Sequence, residues 1–102
     1  MKTYPIFDKS GKMHAFEINN INLGRQRAAS IAGNIPGVVL HRLPKRFLSW
    51  FREECFCEFE LNGVMFQIDE PYGDNSRYWI GQIETGGWSK ELETIESGFR
   101  NA

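Results

Sequence analysis

The sequence predicts an α+β protein in which a mainly antiparallel β-sheet of five to six strands is covered by two amphipathic helices. Three observations favour this class. Several runs alternate apolar and polar residues, as half-buried strands do, and turn residues separate these runs. An Asn-Gly dipeptide joins two of them. Two further stretches carry the apolar spacing of a helix. The predicted order is β-β-α-β-β-β-β-α, in which successive hairpins make the sheet antiparallel.

The first half of the chain predicts a hairpin, a helix and a strand. Residues 4–8 and 13–18 are predicted strands around a turn. Asparagines at 19, 20 and 22 favour a helix start, because an Asn carbonyl can accept a bond from a free N–H of the first turn. Arg25 and Arg27 are expected to stay solvated on this helix, whose buried stripe comprises Ala28, Ile31, Ala32 and Ile35.

Two elements are predicted between this helix and the next hairpin. Residues 38–43 begin with a β-branched run and are a predicted strand, which Pro44 ends because proline cannot donate to a ladder. Residues 45–51 are a predicted short helical turn, with apolar residues three and four apart.

The hairpin around Asn62-Gly63 is the most fully specified element. This dipeptide is preferred in two-residue type I′ turns, and such a loop fixes the register of the flanking strands. The core-facing pairs are then Leu61 with Val64, Phe59 with Phe66, and Cys57 with Ile68. The other face of the hairpin is predicted to contain Phe56 and two cross-strand pairs, Glu60 with Met65 and Glu58 with Gln67.

A turn, a strand and a helix complete the prediction. Residues 70–73 fit a type I turn with proline second and glycine fourth, and residues 77–83 form the last strand. Glycine-containing residues 85–87 end this strand. Ser89 is a predicted N-cap of the final helix. The apolar stripe of that helix comprises Trp88, Leu92, Ile95 and Phe99.

Length and composition favour one domain over residues 1–102. No stretch offers the ~20 apolar residues of a membrane span, so no membrane partner is expected. Cys55 and Cys57, two apart on a predicted strand, are the only cysteines and do not form a disulfide framework. The expected location is therefore the cytoplasm.

Charge is divided unevenly along the chain. Nine basic and two acidic residues up to Arg52 give +7, whereas three basic and eleven acidic residues from Glu53 onward give −8. Such a division indicates either a charged partner or self-association. The alternative, which we favour, is that the two halves interleave in one sheet and that their charges pair locally.

Neither a metal site nor a cofactor site is predicted. Cys55 and Cys57 form a single C-x-C and the chain has only two histidines, whereas structural zinc sites draw four ligands from paired motifs. Inward-facing apolar packing is the preferred interpretation of these cysteines. No catalytic residue is predicted, although a small enzyme with a site near His41 and the Asp74 loop is retained as an alternative.

The segment from Glu70 to Trp79 is the main functional candidate. It combines a predicted loop with aromatic and charged residues of the kinds that anchor interfaces. We expect Tyr72, Asp74, Arg77 and Trp79 to form a protein-binding surface, either for a second copy or for another protein. In a purely structural alternative, Arg77 pairs with Glu70 or Asp74, and either Tyr78 or Trp79 belongs to the core.

Nucleic-acid binding is the alternative partner class. Clustered lysine and arginine side chains bind phosphates, and nearby aromatic rings can stack on bases. The candidate residues are Arg25, Arg27, Arg42, Lys45 and Arg46. The leading interpretation remains a non-enzymatic domain that acts through protein contacts.

Overall fold

The computed structural model describes residues 1–42, 55–71, 76–83 and 87–102. Within these ranges the chain forms six strands and two helices in the predicted order. The elements are β1 (Thr3–Phe7), β2 (Met13–Asn19), α1 (Arg25–Gly33), β3 (Val39–Arg42), β4 (Cys55–Leu61), β5 (Val64–Asp69), β6 (Arg77–Gln82) and α2 (Lys90–Arg100). The α+β class is therefore confirmed. The predicted helical turn at 45–51 and the type I turn at 70–73 lie wholly or partly outside the described residues.

All six strands belong to one antiparallel sheet with the order β1-β2-β6-β5-β4-β3. The last strand, β6, is inserted at the centre between β2 and β5. The edge strands are β1 and β3. This arrangement places the three strands of the acidic second half together, between β2 and β3 of the basic first half.

The β4–β5 hairpin confirms its predicted register. Leu61 pairs with Val64, Phe59 with Phe66, and Cys57 with Ile68. Asn62 and Gly63 have φ angles of 52° and 83°, the positive values that a type I′ turn requires at both positions. The Phe59 and Phe66 rings stack with centroids 5.4 Å apart.

The position of Phe56 contradicts the prediction that this side chain lies on the face of β4 opposite the core. The ladder shifts register between Cys55 and Cys57, as a β-bulge does, so strict alternation fails there. Phe56 is consequently 1% exposed and contacts Tyr78 edge to face, with ring centroids 5.0 Å apart. The cysteines also differ, since Cys57 is fully buried and Cys55 is half-buried.

The predicted asparagine start of α1 is wrong. The helix begins at Arg25 after Gly24, which serves as an N-cap without a side-chain hydrogen bond. Asn22 has a φ of 59°, a left-handed conformation that is incompatible with a helix continuing through it. The predicted apolar stripe is nevertheless buried: Ala28, Ile31, Ala32 and Ile35 are all at most 7% exposed.

Helix α2 has the predicted cap. The Ser89 hydroxyl accepts a hydrogen bond from the backbone N–H of Leu92 at 3.0 Å. Leu92, Ile95 and Phe99 are fully buried. Trp88 does not belong to this stripe: it precedes the N-cap and is 41% exposed.

Both helices contribute to a single core on one side of the sheet. Phe99 of α2 contacts Phe16 of β2 edge to face, with ring centroids 5.6 Å apart. Ile35 lies against Gly98, where an added Cβ atom would be 2.6 Å from the Ile35 side chain. The side chains on the opposite side of the sheet form what we call the outer face, and no described helix covers it.

Candidate protein-interaction surface

The outer face is defined by the alternation and register of the strands. Tyr4, Glu17, Trp79 and Asp69 follow one another across β1, β2, β6 and β5 as direct cross-strand partners. The partners Glu58–Gln67 and Glu60–Met65 continue this face across β4 and β5. Aromatic, acidic and amide side chains therefore share one side of the sheet.

Arg77 is held at the β1 end of this face by two contacts. Its guanidinium carbon lies 3.6 Å from the ring centroid of Tyr4, and its Nη1 lies 3.3 Å from Oε1 of Glu17. The Asn19 amide donates a hydrogen bond to the Tyr4 hydroxyl at 3.2 Å, and the Lys2 ammonium lies 5.2 Å from the same ring. A cation over a ring is attracted by the negative π face. Tyr4 is thus the centre of a small basic cluster.

Trp79 lies on the central strand of the outer face and reaches over Gly81. A Cβ atom at Gly81 would lie 2.5 Å from Cη2 of the indole. The cross-strand partner of Gly81 is Ala15, which is fully buried. Small side chains at these two positions leave the space that the indole occupies.

Apolar side chains other than Trp79 also lie on the outer face. By strand alternation Ile83 shares the face of Trp79, and its backbone N–H donates to Met65 at 3.1 Å. Val39 lies beyond Glu60 on β3. Val39 is 54% exposed and Ile83 is 37% exposed. The outer face therefore has an apolar centre at Trp79, Met65 and Ile83, and Val39 adds apolar surface at the β3 edge.

The β3–β4 end of the outer face is acidic and internally paired. Nε2 of His41 lies 2.9 Å from Oε1 of Glu60, and Nη1 of Arg42 lies 3.7 Å from Oε2 of Glu58. Each pair joins a residue of the basic first half to one of the acidic second half. These contacts agree with the local pairing that we favoured for the divided charge.

Arg25 and Glu70 make a second, less exposed connection between the halves. Their side chains are 16% and 27% exposed, and both Nε and Nη2 of Arg25 lie 2.9 Å from Oε1 of Glu70. Arg25 also lies over Phe56, 4.9 Å from its ring centroid. The expectation that Arg25 stays solvated is therefore wrong, because the strand end bearing Glu70 lies beside the start of α1.

The predicted protein-binding residues divide into two groups. Arg77 and Trp79 both lie on the outer face, whereas Tyr72 and Asp74 lie outside the described residues. Arg77 pairs with Glu17. Tyr78 is the core aromatic: it is 3% exposed, its hydroxyl donates to the Leu23 carbonyl at 2.7 Å, and burial raises its pKa to about 12.

Sequence reasoning missed Tyr4 and Glu17. Their alternation in two predicted strands was visible, but their contact with Arg77 depends on the insertion of β6 beside β2. No spacing along the chain encodes that insertion, since residues 17 and 77 are far apart in sequence.

The described residues of the nucleic-acid candidate are separated. Arg25 contacts Glu70, and Arg27 lines a groove of about 410 Å³ between the ends of α1 and α2. Arg42 instead lies on the outer face beside Glu58. Lys45 and Arg46 lie outside the described residues. The three described arginines do not form one patch.

The enzyme alternative receives no geometric support from the described groups. His41 contacts Glu60 at an exposed edge, and Asp74 lies outside the described residues. Burial raises the pKa of the Cys57 thiol to about 12 and that of Cys55 to about 11, which opposes thiolate formation. Among the described residues, no three His, Cys, Asp or Glu side chains are grouped to hold a metal ion.

Comparisons with models of protein families, with curated proteins and with solved structures found no match to this chain. None of the helices in the described ranges has the length and apolar character needed to cross a membrane.

Proposed function

We propose that this chain is a non-enzymatic protein-binding domain whose partner is a second copy of itself, bound through the outer face. The observation that carries the proposal is the combination of an apolar centre with oppositely charged ends on one sheet face. Interfaces commonly have such a centre surrounded by a polar rim, with Trp, Tyr and Arg as anchors. Trp79, Tyr4 and Arg77 supply these three residue types here.

The charges of the outer face are self-complementary. At the β1 end, Lys2 and Arg77 outweigh Glu17 by one positive charge. Towards β4, the acids Glu58, Glu60 and Asp69 outweigh Arg42 by two negative charges. A two-fold axis between two sheets, directed along the strands, would place the positive end of each copy over the negative end of the other. Such isologous contacts are the usual form of a dimer.

The area of the sheet is sufficient for a small specific interface. Six strands about 4.8 Å apart and about 20 Å long present on the order of 500 Å² per chain. Two copies pressed face to face would bury on the order of 1,000 Å² in total, near the lower limit for specific association. Aligned sheets pack in this way in β-sandwiches, about 10 Å apart.

Two charge-reversed variants test the proposal. The acidic variant carries Lys2→Glu and Arg77→Glu, and the basic variant carries Glu58→Lys and Glu60→Lys. In sedimentation velocity at low salt, we expect the wild type to be a dimer that dissociates as salt is raised. Each variant alone should be a monomer because like charges then face each other, whereas an equimolar mixture should form a heterodimer.

A control double variant changes the net charge by the same amount as the acidic variant, but away from the outer face. Arg27→Glu with Lys90→Glu alters two exposed helical residues and should leave the wild-type dimer intact. Far-UV circular dichroism establishes that each variant is folded. A wild-type chain that remains monomeric at low salt and high concentration, or a mixture of folded variants that does not associate, would contradict the proposed dimer.

The proposed location is a reducing compartment, in keeping with a cytoplasmic protein. Its support is the pair of free thiols at Cys55 and Cys57, which oxidising compartments tend to convert to disulfides. Cell fractionation with an antibody to the chain should find it with cytosolic markers. Recovery with secreted proteins would contradict this location.

A further inference from the structure

A second surface lies on the helix side of the sheet, away from the outer face. A groove of about 370 Å³ runs between the turn joining β1 to β2 and the beginning of α2. Its walls include Pro5, Phe7, Lys12, Trp88, Glu93 and Glu96. Phe7 is 61% exposed and Trp88 is 41% exposed, so two large rings border open space.

The Trp88 ring is fixed in orientation and already binds a cation. Its indole N–H donates a hydrogen bond to the Glu93 carboxylate. The ammonium group of Lys12 lies 4.3 Å from the ring centroid. Among the natural aromatic side chains, tryptophan attracts a cation over its ring face most strongly. The protein's own lysine therefore shows which ligand chemistry the groove accommodates.

The backbone at Lys12 is held independently of its side chain. The Lys12 N–H donates to the Asp8 carboxylate at 3.1 Å, and the Lys12 carbonyl accepts from the Asp8 N–H at 2.8 Å. The Lys12 ammonium can therefore leave the ring without opening the turn. Once it leaves, the groove retains the Glu93 carboxylate and apolar walls at Pro5 and Phe7, whereas Glu96 is already paired with Arg100 at 3.1 Å.

We infer that this groove binds an arginine side chain from a segment of a partner protein, in the position that Lys12 occupies over Trp88. The guanidinium would stack on the indole while its aliphatic stem packs against Pro5 and Phe7. The Glu93 carboxylate beside the ring favours a basic segment over an acidic one. Arginine is the more frequent partner of aromatic rings, because its planar group is less strongly hydrated than an ammonium.

Two blocked tripeptides test this inference by the indole N–H signal of Trp88 in the ¹⁵N-labelled chain. One is acetyl-Gly-Arg-Gly-amide, and the other replaces arginine with citrulline, which has nearly the same shape but no charge. We expect the arginine peptide to shift the Trp88 signal. It should bind roughly two- to fivefold more tightly than the citrulline peptide, the factor for one exposed cation–π contact.

Lys12→Ala and Trp88→Leu make the test specific to this groove. Lys12→Ala removes the competing internal cation and should tighten binding of the arginine peptide by a similar roughly two- to fivefold factor. In Trp88→Leu, where the backbone N–H signal of Lys12 is followed instead, the preference for arginine over citrulline should be lost. Equal affinity for the two peptides, no shift at Trp88, or weaker binding to Lys12→Ala would overturn the inference. Because none of these variants alters the outer face, failure here is distinguishable from failure of the proposed dimer.

Discussion

Trp79 and Gly81, two residues apart on the central strand, share one space on the outer face. The absence of a side chain at Gly81 is what allows the indole of Trp79 to lie there, since a Cβ atom would approach Cη2 to 2.5 Å. A contact this short requires one group to move. The position of Trp79 in the proposed interface therefore depends on Gly81, although Gly81 has no side chain to contact a partner.

Gly81→Ala should displace the indole without removing it. We expect the Trp79 indole N–H signal to shift and the proposed dimer to weaken, because the apolar centre of the outer face is rearranged. Stability should change by no more than about 1 kcal/mol, since the mutation also replaces a flexible glycine within a strand. Sedimentation velocity and urea unfolding measure the two effects.

Gly24→Ala is the matched control, because open space surrounds a Cβ atom at that position. It should leave both the Trp79 signal and the dimer unchanged. An unmoved Trp79 signal in Gly81→Ala would show that the indole does not depend on the gap at Gly81.

Glu70→Ala should destabilise the fold, because the partly buried Arg25 loses the carboxylate with which it pairs. Arg25 is 16% exposed on its side chain, and the pair makes two nitrogen–oxygen contacts of 2.9 Å. We expect a loss of about 2 kcal/mol in the free energy of unfolding, typical of a hydrogen-bonded group left with an unpaired charge. Urea unfolding measures it.

The control for Glu70→Ala is Glu91→Ala, which removes a half-buried carboxylate from the first turn of α2. Its cost should not exceed about 1 kcal/mol, the usual helix-dipole contribution. Equal losses in the free energy of unfolding would show that the Arg25–Glu70 pair contributes no more to stability than a carboxylate in the first turn of a helix.

Ser89→Ala should cost about 1 kcal/mol of stability. The Ser89 hydroxyl accepts the Leu92 N–H bond at 3.0 Å, and alanine leaves that donor without its cap. Ser30→Ala, in the exposed interior of α1, removes the same hydroxyl and should be neutral or slightly stabilising, because alanine is the better helix former. Thermal unfolding of both variants gives the comparison; equal melting temperatures would argue against the cap.

Stability should fall as pH rises above about 9. Burial raises the pKa of Cys57 from 9.0 to about 12, and that of Cys55 to about 11. The unfolded thiols therefore lose protons first, and the unfolded state is favoured as pH passes through 9.0 towards these folded values. Tyr78, whose pKa is raised from 10.0 to about 12, acts in the same direction from about pH 10.

Urea unfolding at pH 8, 9 and 10 checks this dependence, and Cys57→Ala should reduce the slope between pH 8 and 10. The wild-type thiols should also react slowly with a thiol reagent at pH 8 until urea unfolds the chain. A stability that is constant across this range, or fast labelling of the native thiols, would contradict the raised pKa values.

Local features of the sequence were sufficient for the element order, the β4–β5 register, the cap at Ser89 and the buried stripes of both helices, except that Trp88 is 41% exposed. Each of these depends on residues that are near one another in the chain. Asn62-Gly63 sets a turn, and alternation on either side of it assigns faces. Two errors have local causes: a bulge turned Phe56 inward, and left-handed Asn22 delayed the start of α1. The burial of Arg25 has a tertiary cause, which is its contact with Glu70.

Tertiary structure alone decided which distant residues meet. The insertion of β6 between β2 and β5 brings Arg77 to Tyr4 and Glu17, and the packing of α2 beside the first hairpin brings Trp88 to Lys12. Sequence patterns specify which face of an element is apolar, but burial of apolar surface is not directional and does not specify which apolar faces combine. Both proposed surfaces arise from that choice, because each joins side chains from opposite ends of the chain.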